Sequence, residues 1–176
     1  MKKLIYTLLI IIALTNNLFA AGSSSDSDSA PKASDYTKAK NLINSAKKYE
    51  KKGKIDKAQE RYAKAQKLLL KSNDEKPLQA DTLNYLGFTT RKLGDFEGGE
   101  KFYLQGLEIE PNHNGINEYL GELYVVTNRI DMAKERLEVL KTCNCEEYLL
   151  MVQKAIHLKK PVGSLLEMYR FLIKFQ

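Results

Sequence analysis

The sequence predicts an all-α fold, an α-solenoid of about three helix-turn-helix repeats followed by a capping helix and a C-terminal helix. Three observations predict it. Leu86-Gly87 recurs as Leu120-Gly121, and Gly94 falls in register with Asn128, both at a spacing of 34 residues, which is the period of stacked helix pairs. Small residues flank an aromatic at helical spacing, as Ala58/Tyr62/Ala65 and again as Gly99/Tyr103/Gly106. All four prolines, Pro31, Pro77, Pro111 and Pro161, fall between segments, where they stop helices rather than break them.

The chain begins with a targeting pattern. Met1-Lys2-Lys3 precedes an apolar stretch from Leu4 to Leu14 and the small residues Ala20-Ala21-Gly22. This predicts a signal peptide over 1–20, cleaved after Ala20, and a periplasmic or secreted protein. No cysteine follows the apolar run to accept a lipid. Residues 21–35 are Ser- and Asp-rich with almost no apolar group, a composition that cannot offset its ordering entropy and predicts a disordered linker.

Residues 36–160 hold the repeats and their cap. The first repeat aligns Gly53-Lys54-Ile55-Asp56 with Gly94-Asp95-Phe96 at an offset of 41, seven more than the period. Those seven residues are expected between Leu70 and Gln79, a polar stretch ending at Pro77. Small residues at Ala58, Gly87, Gly99 and Gly121 let helices approach closely, while Tyr62, Leu86, Tyr103 and Leu120 fill the space above them. Gly98 fits no such position, and a glycine inside a helix costs about 1 kcal/mol, so a hinge is one reading of it. Glu146 to Lys160 carries Tyr148, Leu149, Met151, Val152, Ile156 and Leu158 on an amphipathic face suited to covering the last repeat. After Pro161-Val162-Gly163, the capping box Ser164/Glu167 starts an amphipathic helix over 161–176, whose wide apolar arc predicts docking on the cap or in the groove, with a partner or membrane surface as the alternative.

These residues resemble the tetratricopeptide repeat (TPR) family. The resemblance lies in the large-then-small pairs Leu86-Gly87 and Leu120-Gly121, the aromatics Tyr49 and Tyr124, the small-x3-aromatic-x2-small pattern of the second helices, and Pro111. Leu83 stands where tryptophan is usual, Thr90 where tyrosine is usual, and Leu137 and Leu140 replace an aromatic and a small residue. The resemblance implies a right-handed superhelix that binds peptides or protein segments along the concave face lined by each first helix. Carried onto this chain, that partner-binding groove comprises Lys40, Ile43, Lys47 and Lys51, then Asn84, Phe88, Arg91 and Lys92, then Glu118, Glu122 and Val125. It lacks the carboxylate clamp of TPR domains that bind chaperone tails, because Ile43, Lys47 and Tyr85 occupy positions that clamp fills with lysine and asparagine.

Charge is uneven along the chain. The total is 28 basic minus 22 acidic residues, or +6. Tyr36 to Lys76 alone holds 13 basic and five acidic residues, or +8. An anionic partner at the first-repeat end is one reading and a solvated helix face the other. The export signal disfavours nucleic acid, and membrane contact is confined to the signal or the C-terminal helix.

Candidate chemistry is sparse. Cys143 and Cys145 are the two cysteines, and an oxidising compartment favours a disulfide between them. A thiol redox or metal-handling module using the pair is the alternative function, but two thiolates are half a tetrahedral zinc site. His157 stands about 18 Å along a helix from Cys145 at 1.5 Å per residue, and His113 reads as a solvated turn residue beside Pro111. No phosphate loop, nucleophile elbow or metalloprotease His pair occurs. The expectation is a non-enzymatic adaptor with no cofactor and no metal.

Overall fold

The computed structural model describes residues 33–143 and 145–157, the side chains of 155–157 aside. The expected leader, residues 21–32 of the expected 21–35 linker and the 161–176 helix lie outside the described residues. Ser34 and Asp35, expected in the linker, instead cap and begin the first helix, because the Ser34 hydroxyl accepts from the Thr37 N–H. Within the described residues the chain forms seven helices: α1 (Asp35–Lys51), α2 (Ile55–Glu75), α3 (Ala80–Lys92), α4 (Phe96–Ile109), α5 (Asn114–Val126), α6 (Ile130–Lys141) and α7 (Glu146–His157).

Each first helix ends in the same turn. Gly53, Gly94 and Asn128 have φ of 67°, 100° and 63°. In every case the N–H of that residue donates to the carbonyl three back, and the next N–H to the carbonyl five back. The pairs are Gly53 to Glu50 and Lys54 to Tyr49, Gly94 to Arg91 and Asp95 to Thr90, Asn128 to Val125 and Arg129 to Tyr124. This is the Schellman arrangement, which satisfies the last helical carbonyls and needs a residue that tolerates the left-handed region. Three connecting residues thus fold α1 on α2, α3 on α4 and α5 on α6. The 34-residue recurrence of Gly94 as Asn128 is the recurrence of this turn.

The sequence singles out two features of the backbone, and one of those readings changes. The extra residues of the first repeat, expected between Leu70 and Gln79, prolong α2 through Glu75, giving it 21 residues before Pro77 stops it. Gly98 is not a helix-interior residue. It lies in the first turn of α4, where its N–H donates to Asp95 Oδ1 at 2.8 Å, and a Cβ there would collide with the Asp95 carboxylate. Glycine makes room for the cap, and the hinge reading falls.

The core is built from close helix contacts. A Cβ on Gly87 would stand 2.5 Å from the ring of Tyr103, so α3 and α4 approach to the limit that glycine allows. One apolar cluster joins α1, α2 and α3 through Ile43, Ala46, Tyr62, Leu69, Leu86 and Phe88. A second joins α4 to α7 through Tyr103, Ile116, Leu120, Leu137, Leu140, Met151 and Val152. Leu137 and Leu140 therefore fill the third repeat without the usual aromatic, and Tyr119 packs against both clusters.

Candidate functional site

The helices α1, α3, α5 and α7 pack side by side, each against the next. Between them lies an open cavity of about 510 Å³. Its walls are Lys47, Glu50 and Lys51 from α1, Phe88 and Lys92 from α3, Glu118, Tyr119 and Glu122 from α5, and Leu150, Gln153 and Lys154 from α7. Two further hollows adjoin it. One of about 350 Å³ shares Glu118 and Tyr119 and reaches Asn84, Tyr85 and His113. Another of about 420 Å³ shares Lys92, Glu122 and Lys154 and reaches Arg91 and Met151.

The charged groups of the floor are mostly paired. Arg91 donates to Glu122 Oε2 at 2.9 Å with both side chains buried, and Lys154 reaches Glu122 Oε1 at 2.7 Å. Lys92 donates to both oxygens of Glu50 at 3.0 Å, and the Tyr62 hydroxyl donates to Glu50 Oε2 at 2.8 Å. Lys47 donates to the Tyr119 hydroxyl at 2.9 Å, and its Nζ stands 4.7 Å from the Phe88 ring centre and 5.3 Å from that of Tyr119. Such cation–π contacts contribute about 0.5–2 kcal/mol. Burial pushes the Lys47 ammonium below its ordinary range, against the pull of Glu118 and Glu122. Burial also holds the Glu118 carboxyl up at about 7, with the negative Glu122 adding to it.

The structure distributes the sequence-predicted groove residues unevenly. Lys47, Lys51, Phe88, Lys92, Glu118 and Glu122 share the central cavity, Asn84 lines the second and Arg91 the third. Lys40 lines none of the three; it lies over the rings of Tyr36 and Tyr85 at 5.6 and 5.9 Å. Ile43 is not a groove residue. It is 0% exposed, inside the cluster between α1 and α2, because its face of α1 turns toward Tyr62 and Leu69. Arg91, 8% exposed, holds α3 to α5 through Glu122, so it forms the floor more than the contact surface.

Sequence reasoning missed Glu50, Tyr119 and the α7 residues. In the sequence Tyr119 reads as one of the packing tyrosines, and the amphipathic pattern of α7 signals only a cap. A cap stacked on the last repeat occupies the place of the next first helix, which is the available signal that it lines the groove. His113 also differs from expectation: it is not a solvated turn residue but the N-cap of α5. Its Nδ1 accepts from the Ile116 N–H at 3.2 Å, leaving Nε2 to carry the proton toward Asp81 Oδ1 at 3.3 Å.

Cys143 and Cys145 are joined as a disulfide at the junction of α6 and α7, with Cα atoms 5.1 Å apart, and both pack against the second core cluster. Among the described residues no group of three or more His, Cys, Asp or Glu side chains could hold a metal ion. No described helix is long and apolar enough to cross a membrane.

No family model and no curated protein matches the chain. Solved structures do. The first TPR of Spaghetti (RPAP3) bound to the HSP90 peptide SRMEEVD aligns at 21% identity over 71% of this chain and 95% of its own, with a TM-score of 0.45. The C-terminal TPR-containing domain of a Plasmodium falciparum FK506-binding protein aligns at 18% identity over 73% and 97%, TM-score 0.42. The Yersinia enterocolitica type III secretion translocator chaperone SycD aligns at 13% identity over 76% and 92%, TM-score 0.45. Three helix pairs, one closing turn repeated at Gly53, Gly94 and Asn128, and the small-residue contacts between the helices make the described part of this chain an α-solenoid of stacked helix pairs, the fold that tetratricopeptide repeats build.

Proposed function

We propose that this chain is a non-enzymatic, exported interaction module that holds a segment of a partner protein in the groove between α1, α3, α5 and α7. The observation that carries the reading is the central cavity of about 510 Å³, open to solvent, with Phe88, Tyr119 and Leu150 as apolar walls and charged groups placed around them. Ligand sites combine an apolar lining with a few placed polar groups in this way. On the adjoining wall the Asn84 Oδ1 is buried without a hydrogen-bond partner. Export rests on the leader pattern of residues 1–20 and puts the partner in the periplasm or outside the cell. The +8 of Tyr36 to Lys76 favours an acidic stretch in the part of the partner that enters the groove beside α1.

A photo-crosslinking amino acid tests this reading when placed at the groove rim, at Lys51 or Gln153, and on the outer helices, at Lys64 or Lys101. Irradiation of envelope extracts is expected to give a discrete adduct from the rim positions alone. Equal adducts from Lys64 and Lys101 contradict the groove.

A further inference from the structure

We infer that the groove contains a cation subsite in which Glu118, walled by Phe88 and Tyr119, takes a lysine or arginine side chain of the bound segment. The inference rests on the groove reading above and adds the chemistry of its central contact.

Glu118 differs from the other acids of the floor. It is 6% exposed, yet among the described residues no hydrogen bond or ion pair reaches its carboxylate. Glu122, equally buried at 4%, is held by Arg91 and Lys154. Glu50 is held by Lys92 and Tyr62. A carboxylate withdrawn from water without a partner is costly, and such groups are ordinarily paired or absent. Glu118 lines both the 510 Å³ and the 350 Å³ cavities, so the unpaired charge is presented at the neck between two hollows that a ligand can enter.

The surroundings suit a cation. The rings of Phe88 and Tyr119 already receive the Lys47 ammonium and, at 5.7 and 5.9 Å, the Arg91 guanidinium, so this aromatic wall favours positive groups beside Glu118. Lys47 spends its hydrogen bond on the Tyr119 hydroxyl instead of on Glu118. The charged and titratable groups that act on Glu118 are Lys47 from α1, Tyr85 from α3, Tyr119 and Glu122 on its own helix, and Glu147 and Lys154 from α7. Of the two lysines, one is bonded to Tyr119 and the other to Glu122, so the carboxylate keeps its capacity for a third cation. An incoming ammonium or guanidinium would pair with Glu118 and relieve its repulsion from Glu122 and Glu147.

The test is a random decapeptide library displayed on phage and selected on the full chain. Recovered peptides are expected to carry a lysine or arginine flanked by apolar residues. Replacing that residue by methionine in a synthetic copy should weaken binding at least tenfold to the wild-type chain and by less than threefold to the Glu118→Gln variant. Peptides without a basic residue, or equal binding of the parent peptide to wild type and variant, overturn the cation subsite while leaving the groove intact. Failure to recover any groove-binding peptide overturns the groove reading itself. The lysine-to-methionine comparison on wild-type protein needs no folded variant, so the inference stands or falls even if Glu118→Gln is unstable.

Discussion

At the scale of single residues, Glu118 trades stability for a presented charge. Its carboxyl is held up at about 7, chiefly by burial, against an ordinary value of 4.5. The folded chain therefore binds an extra proton between those values, and stability falls as pH rises through that window. The full penalty above pH 7 is on the order of 1–3 kcal/mol. Glu118→Gln is expected to raise the unfolding free energy by that amount at pH 8 and to leave it nearly unchanged at pH 4, as read by urea denaturation at the two pH values. A pH-independent effect contradicts the buried, unpaired carboxylate. Packing gives a second contrast. A Cβ on Gly87 meets the fully buried Tyr103 ring, whereas one on Gly121 meets the flexible Met151 thioether. Gly87→Ala should cost about 2–3 kcal/mol, and Gly121→Ala clearly less, in thermal unfolding.

At the scale of elements, the turn that closes each helix pair is the unit that repeats. Gly94 at a φ of 100° has no neighbour within 4 Å of an added Cβ, so Gly94→Ala tests backbone conformation alone. A loss of about 1–2 kcal/mol is expected; a neutral substitution contradicts the shared turn. The Cys143–Cys145 disulfide closes a very short loop, which limits its stabilisation to about 1–2 kcal/mol. Reduction should therefore raise hydrogen exchange at the α6–α7 junction without a global change. The turns are legible in the sequence because glycine and asparagine are the residues that favour their left-handed backbone, and so the 34-residue spacing from Gly94 to Asn128 is directly visible. The run of α2 through Lys71 to Glu75 was not legible: an exposed polar stretch reads as a loop, yet nothing in it stops a helix before Pro77. His113 escaped notice as a cap because an imidazole fills a role usually taken by a hydroxyl or a carboxylate.

At the scale of the whole molecule, the family resemblance points to α1, α3 and α5 as groove helices, but neither the place of α7 beside them nor the depth of each residue is legible in the sequence. Register alone cannot tell Ile43, which is sealed between α1 and α2, from Lys47 one turn later, which spans the cavity to Tyr119. Nor does it reveal that Arg91 is consumed by Glu122, since that pair joins residues 31 apart on separate helices. Breaking a buried pair of this kind costs about 3–5 kcal/mol, so charge reversal at Arg91 should unfold the solenoid rather than report on a ligand. Under the proposed function, the face formed by α1, α3, α5 and α7 receives a protein segment. The most direct measurement of this is amide chemical-shift mapping of the isotope-labelled full chain titrated with a phage-selected peptide. Shifts are expected to concentrate at Lys47, Phe88, Lys92, Glu118, Tyr119 and Gln153; shifts concentrated on the outer faces of α2 and α4 mean that the segment is not held in the groove.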